Sequence, residues 1–223
     1  MKEVILDTET TGLSVREAHR IVEIGCIELD DLVPTKNKFH CYLNPERKVS
    51  EKAIEVHGYT DEFLSTQKKF SEVVDEFLNF IENKRLVIHN AEFDLSHLNN
   101  ELALLGKKKL DIENAIDTLA LARDKFPGSP TSLDALCKRY RVDNSKRTQH
   151  TALVDCDLLA KVYINLLDQK EPSLNFKNDE NEKTIINSNG INQYYKKIIK
   201  PTEEELKLHK KYLKNNLKKN FFS

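Results

Sequence analysis

Hydrophobic and polar positions change period several times along this chain. Val4-Ile5-Leu6 is a short aliphatic run that reads as a buried strand, and residues 21–29 and 39–43 read as two more. The links between them, residues 13–20 and 34–38, are short and polar, which suggests an antiparallel meander. Ser50 is placed to cap a short helix that stops at His57-Gly58. Phe70, Val73, Val74, Phe77, Leu78 and Ile81 then fall at helical spacing, with Ser71 as the expected N-cap. Leu86-Val87-Ile88 is a fourth buried strand. A helix beginning near Glu92 carries Phe93, Leu95, Leu98, Leu102 and Leu105 and ends at Gly106. Residues 115–126, 132–140 and 151–167 read as further helices, the first stopped by Pro127-Gly128. Strands first, then helices alternating with a strand, predict an α/β domain around a mixed sheet over residues 1–168.

After that domain the pattern lapses. Residues 169–200 are rich in Asn, Lys, Glu and Ser with few apolar positions, and read as a flexible linker. At Pro201 a pattern returns. Thr202 and Glu205 stand at capping-box spacing, and Leu206, Leu213, Leu217 and Phe221 form an apolar stripe with lysines on the other faces. A lone helix this polar builds no core of its own. Residues 201–223 are therefore expected to form a helix that requires a partner.

Composition narrows the classes. The 223 residues carry a formal net charge of −1, so no whole-chain field marks a nucleic-acid binder and any such contact must be local. One local basic set, Lys138, Arg139, Arg141, Lys146 and Arg147, is placed to meet phosphate or simply to face solvent. Cys26, Cys41, Cys137 and Cys156 form no C-x-x-C pair, which argues against a zinc site or a disulfide framework and fits reduced thiols in the cytoplasm. Met1-Lys2-Glu3 enters a strand at once, leaving no room for a signal peptide, and no apolar run approaches the ~20 residues that span a bilayer. No membrane partner is expected.

Candidate chemistry sits at the edges of these elements. The first strand ends in Asp7-Thr8-Glu9-Thr10-Thr11-Gly12, and alternation puts Asp7 and Glu9 on one face. Two adjacent carboxylates repel, and a divalent cation is the commonest reason to tolerate them. His89-Asn90-Ala91-Glu92-Phe93-Asp94 places another acid in the first turn of a helix, and His150-Thr151-Ala152-Leu153-Val154-Asp155 repeats the device with a histidine just outside. Taken singly, each acid could merely complement a helix dipole. Together, Asp7, Glu9, Asp94 and Asp155 with His150 make the set that two-cation phosphodiester hydrolysis requires, the histidine being suited to take a proton near neutral pH.

These three motifs, in this order and with the H-x-A-x-x-D form of the last, resemble the DEDDh 3′–5′ exonucleases. Ser132-Leu133-Asp134-Ala135-Leu136-Cys137, residues 143–148, residues 39–45 and Val56-His57-Gly58 are similar to the branch of that family that proofreads for bacterial replicative polymerases. The resemblance implies a ribonuclease-H-like fold with a five-stranded mixed sheet flanked by helices. It implies that Asp7, Glu9, Asp94 and Asp155 hold two Mg²⁺ or Mn²⁺ ions and that His150 is the general base. It implies a DNA 3′ end as substrate, met by Asp7, Glu9, Thr10, Thr11, Leu13, Lys52, His57 and Asp155, with Leu13 as an apolar wedge. Relatives carry a glutamate five positions before that last histidine, where this chain has Lys52 between Glu51 and Glu55. In the tail, Ser173-Leu174-Asn175-Phe176 takes the place of a sliding-clamp motif, with Glu171 where glutamine is usual. Residues 201–223 resemble the segment that holds the polymerase's alpha subunit, and some such cores add a small third subunit. The rival readings are a DEDDh ribonuclease trimming RNA 3′ ends and a non-catalytic nucleic-acid-binding module. The orphan tail speaks against the first, and the four intact acids against the second.

Overall fold

The computed structural model describes residues 1–145, 147, 149–168 and 201–216. The expected linker at 169–200, the clamp-like segment at 171–176, and Leu217 and Phe221 of the tail stripe lie outside the described residues.

One five-stranded mixed sheet forms the domain, in the order β3-β2-β1-β4-β5. Strands β1 (Lys2–Thr10), β2 (Ile21–Asp30) and β3 (Val33–Tyr42) make the antiparallel meander that the short links demand. Strands β4 (Arg85–Ile88) and β5 (Ala115–Asp117) add on parallel to β1. Between β3 and β4 run α1 (Glu51–His57), α2 (Asp61–Ser65) and α3 (Phe70–Ile81), and α4 (Ala91–Leu104) joins β4 to β5. Helices α5 (Thr118–Lys125), α6 (Leu133–Tyr140) and α7 (Ala152–Leu166) complete the domain.

Strand parity splits the core in two. Val4 and Leu6 of β1 and Leu86 and Ile88 of β4 pack with α3 and α4 on one face, through Phe77, Leu98 and Leu102. Ile5 and Val87, one residue out of phase, pack on the other face against α6 and α7, through Leu136, Leu159 and Val162. Asp7 and Glu9 continue the parity of Ile5 and so face α7, while Thr8 faces α4. A break in the β1–β2 register falls between Glu9 and Thr10, where the chain leaves the sheet.

Four local expectations are corrected. Residues 34–38 are not a turn: the chain reverses at Asp31 and Leu32, both at positive φ, and β3 already begins at Val33. Pro34 is tolerated because β3 is an edge strand. The stretch from Ala115 opens as a strand, becoming helical only at Thr118, where Asp117 caps α5 through Leu119 N. Helix α3 starts two residues earlier than a Ser71 cap allows; Lys69 is the N-cap, its N–H donating to Glu72 at 2.7 Å. Helix α2 was not foreseen, and Thr60 caps it. Gly106, as expected, follows α4 at φ 66°, closing a Schellman-type end in which Lys107 N donates to Leu102 O.

The tail helix α8 (Glu203–Asn216) carries the expected capping box, with Thr202 N and Oγ1 donating to Glu205 Oε2 and Glu205 N donating back to Thr202 Oγ1. It exposes Leu206, Leu208 and Tyr212. Among the described residues no helix is long and apolar enough to cross a membrane.

Candidate active site

The parallel strands β1 and β4 pair as far as Ile5 and Val87, and β1 runs on past the end of β4, so that the chain leaving β4 lies beside the last residues of β1. Strand β1 delivers Asp7 and Glu9. After β4, Asn90 sits at φ 73°, its N–H held by Asp117 at 3.0 Å, and this turn starts α4 so that Asp94 reaches β1. Asp94 Oδ1 accepts from Thr8 N at 3.0 Å and Thr8 Oγ1 at 2.7 Å, fixing it beside the acidic pair. Helix α7 brings Asp155 from the opposite face of the sheet. Asp7, Glu9, Asp94, Asp155 and His150 all line one cleft of about 500 Å³, with Phe93, Arg123, Asp134 and Arg147 among its other walls.

Approach of α7 depends on a missing side chain. Gly25 of β2 lies directly across from Asp7, and a Cβ there would stand 2.6 Å from Ala152 C and 2.7 Å from Leu153 N. Only glycine lets the first turn of α7 lie on the sheet at this point.

The acids pay an electrostatic penalty for their company. Burial, then the neighbouring carboxylates of Asp94, Glu9 and Asp155, hold the Asp7 carboxyl well above its usual range. Burial followed by Asp155, Glu23 and Asp94 pushes Glu9 up to about 8. Asp94 is raised to about 7 by burial, against the opposing pull of the Thr8 hydrogen bonds. Such a cluster is what bound cations relieve. Ligand atoms of Glu9, His150 and Asp155 already lie within 4.8 Å of one another, so the donor set fits a hard divalent ion.

Arg147 supplies positive charge within the cleft. Its Nε and NH2 groups fork onto Asp155 at 2.6 and 2.7 Å, NH1 reaches Asp134 at 2.7 Å, and NH2 donates to His150 Nδ1 at 2.8 Å. The sequence placed Arg147 in a basic set that either meets phosphate or faces solvent. Its side chain is 7% exposed and committed to these partners, so it belongs to the acidic site instead. His150 Nδ1 also lies 3.4 Å from Asp155 Oδ2, and the His150 backbone N–H donates to Val56 O of α1.

A second cleft of about 490 Å³ adjoins the first, sharing Thr8, Glu9 and Phe93. Thr10, Leu13, Lys52 and His57 line it, and Leu13 stands at its lip, 84% exposed. Thr11 does not: its side chain is buried, accepting from Arg20 N and bonded to His19 Nδ1. His57 is buried, its Nδ1 taken by Tyr59 N, while Nε2 makes no hydrogen bond of normal geometry among the described residues.

Three contributors escaped the sequence reading. Phe93 reads in the sequence as one more apolar position on its helix, yet it lines both clefts. Asp134, in the first turn of α6, is the anchor of Arg147. Glu23 is a fully buried acid inside the apolar run of β2, and an acid on the inward face of a central strand was the available signal.

Comparison with known proteins agrees with this geometry. Residues 4–163 match the family model described as exonuclease, RNase_T. DNA polymerase III subunit epsilon of Rickettsia felis is 47% identical over 224 residues, covering 98% of each chain. The same subunit of Salmonella typhimurium is 48% identical over 171 residues, covering 73% of this chain and 70% of its own. Among solved structures, exonuclease X in complex with 5′ overhanging duplex DNA superposes with a TM-score of 0.59 at 26% identity, covering 75% of this chain and 92% of that one. The nuclease domain of 3′hExo, a DEDDh family member bound to rAMP, has the same fold, with a TM-score of 0.66 at 20% identity and coverage of 76% and 92%. Four acids and a histidine at the ends of β1, α4 and α7 thus meet a family match over most of the domain and a near-full-length likeness to epsilon subunits: the chain belongs to the RNase_T exonuclease family.

Proposed function

We propose that this chain is the proofreading 3′–5′ exonuclease of a bacterial replicative polymerase, removing mispaired nucleotides from a primer's 3′ end. The observation that carries the reading is the convergence of Asp7, Glu9, Asp94, Asp155 and His150 in one cleft that opens into a second, apolar-lipped cleft. In this reading the four acids hold two divalent cations, Mg²⁺ or Mn²⁺, which when bound supply Lewis-acid stabilisation of the phosphodiester and a more acidic water. His150 takes the proton of the attacking water. Water oxygen bonds to phosphorus, the bond to the 3′ oxygen of the preceding nucleotide breaks, that oxygen takes up a proton from solvent to become the new 3′ hydroxyl, and a nucleoside 5′-monophosphate is released. Thr10, Leu13, Lys52 and His57 receive the terminal nucleotide, and Thr11 acts from behind by fixing the turn. A mismatched end frays more readily than a paired one, so only the frayed strand threads past Leu13.

The test is hydrolysis of a 3′-mispaired primer–template with Mg²⁺, beside Asp7→Asn and a single-stranded RNA. Rapid loss of the mispaired DNA end, absent in Asp7→Asn, is the expected result. A strong preference for RNA would move the chain to the RNA-trimming branch, and inactivity on both would overturn the catalytic reading.

The tail carries the second half of the proposal. Helix α8 presents Leu206, Leu208 and Tyr212 among lysines, which a helix without a partner has no reason to do. We assign residues 201–223 to the polymerase alpha subunit, residues 169–200 to a tether with a clamp-binding segment at 171–176, and the enzyme to the cytoplasmic replication machinery. A small third core subunit is a further candidate partner. Deleting residues 201–223 is expected to abolish co-purification with the alpha subunit while leaving hydrolysis of single-stranded DNA within about twofold. Retained co-purification would sink the assignment.

A further inference from the structure

We propose that Glu23 is a positioning residue for the reaction: its carboxylate seats the first turn of α7, and with it Asp155 and His150, against the strand that carries Asp7 and Glu9. The proposal rests on the hydrolytic reading of those residues. Glu23 is 0% exposed and lies directly opposite Glu9 in the β1–β2 ladder, on the face turned to α7. Like charges opposite each other in a ladder are unfavourable, so a purely architectural choice would avoid an acid here.

The carboxylate has specific partners. Oε2 accepts from Ala152 N at 2.9 Å and from Tyr59 Oη at 2.8 Å, and Oε1 lies 2.7 Å from His40 Nε2. Ala152 is the first residue of α7, and its own N-cap, Thr151, makes no side-chain cap bond. The capping acceptor therefore comes from β2, 129 residues away in sequence. A negative group at a helix N-terminus also suits the helix dipole.

Through Tyr59 the same carboxylate reaches α1. Tyr59 N donates to His57 Nδ1, and the two rings stack at 4.8 Å. Helix α1 in turn holds the His150 backbone N–H through Val56 O. Glu23 thus ties together the segments on both sides of His150, and Asp155 follows one helical turn after Ala152. A shift of about 1 Å in such a seat costs up to roughly 10²-fold in rate.

Two variants of equal length separate this role from packing. Glu23→Gln keeps an acceptor for Ala152 N and Tyr59 Oη and donates to His40 in its neutral form. Glu23→Met fills the same volume and accepts nothing. With single-stranded DNA, Glu23→Gln is expected to keep kcat within about threefold. Glu23→Met is expected to lose roughly 10- to 100-fold in kcat with KM within about threefold. By NMR-detected hydrogen exchange, the Ala152 amide should open at least about tenfold faster in Glu23→Met while Val87, in the sheet centre, stays as in wild type. If Glu23→Met fails to fold, Tyr59→Phe, which removes one of the two bonds to Oε2, should lower kcat several-fold at constant KM. Wild-type kcat in Glu23→Met, an unchanged Ala152 amide, or equal damage from Gln and Met would each overturn the proposal. A wild-type chain inactive on every substrate would instead overturn the hydrolytic reading, and the Ala152 exchange would still decide whether Glu23 seats α7.

Discussion

Asp7→Asn should abolish hydrolysis, by roughly 10³-fold, and at the same time stabilise the protein when no divalent cation is present. The two effects have one cause. Asp7 is buried among Asp94, Glu9 and Asp155, and its carboxyl is held well above its ordinary range by burial and then by those neighbours. Asparagine keeps the shape and removes the repulsion. Replacing a buried charge by a neutral group of similar volume gains roughly 1–2 kcal/mol, or about 2–8 °C in Tm for a domain of this size. The pH dependence has a definite sign. Glu9 is raised to about 8 and Asp94 to about 7, whereas free carboxylates titrate near ~4. Between those limits the folded state binds more protons than the unfolded one, so this cluster's contribution to stability is full below about pH 4 and is lost as pH rises toward about 8. Thermal melts in EDTA should therefore show Tm falling across pH 5–8.5. Added Mg²⁺ or Mn²⁺ should restore it in wild type and restore much less in Asp7→Asn. A Tm indifferent to pH, cation and substitution would mean that the four acids do not act as one charged cluster.

The acids themselves were legible in the sequence because each sits at a place where local rules are strong. Asp7 and Glu9 follow from strand parity, and Asp94 and Asp155 from the first turns of two helices. What sequence could not supply was the third dimension of charge. Arg147 reads as one cation in a polar loop, yet it forks onto Asp155 and ties down His150, a fold-back of the loop onto the first turn of α7 that no period in the sequence marks. Glu23 is hidden for another reason: its partners Ala152, Tyr59 and His40 lie far from it in sequence, on α7, in the link between α1 and α2, and on β3. Strand β5 escaped because three residues joined directly to a helix give no period of their own. Strand β3 was cut short because an edge strand with one solvated side carries few apolar residues, and Pro34 reads as a turn unless the edge position is known. The thread is that short-range patterning fixes elements, whereas long-range pairing fixes the chemistry between them.

His150→Ala is expected to lower kcat by roughly 10²–10⁴-fold at neutral pH with KM for single-stranded DNA little changed, the usual range for loss of a general base. Geometry allows a second role, and the experiment must separate the two. His150 shares ligand-forming distances with Glu9 and Asp155, so it could instead bind a cation directly. Its Nδ1 accepts from Arg147 and lies 3.4 Å from Asp155 Oδ2. With Arg147 donating, the neutral ring carries its proton on Nε2, whereas a base needs an open nitrogen toward the water. A cation on Asp155 would compete with Arg147 for the same carboxylate, freeing the ring to turn or to change tautomer. If His150 is the base, Mn²⁺ titration of His150→Ala should give nearly the wild-type affinity, the kcat loss should persist at saturating Mn²⁺, and the residual rate should climb with pH as hydroxide replaces the missing base. If His150 is a ligand, affinity should fall tenfold or more and saturating Mn²⁺ should recover most of kcat. A variant retaining more than about a third of wild-type kcat at neutral pH and ordinary Mg²⁺ would exclude both roles.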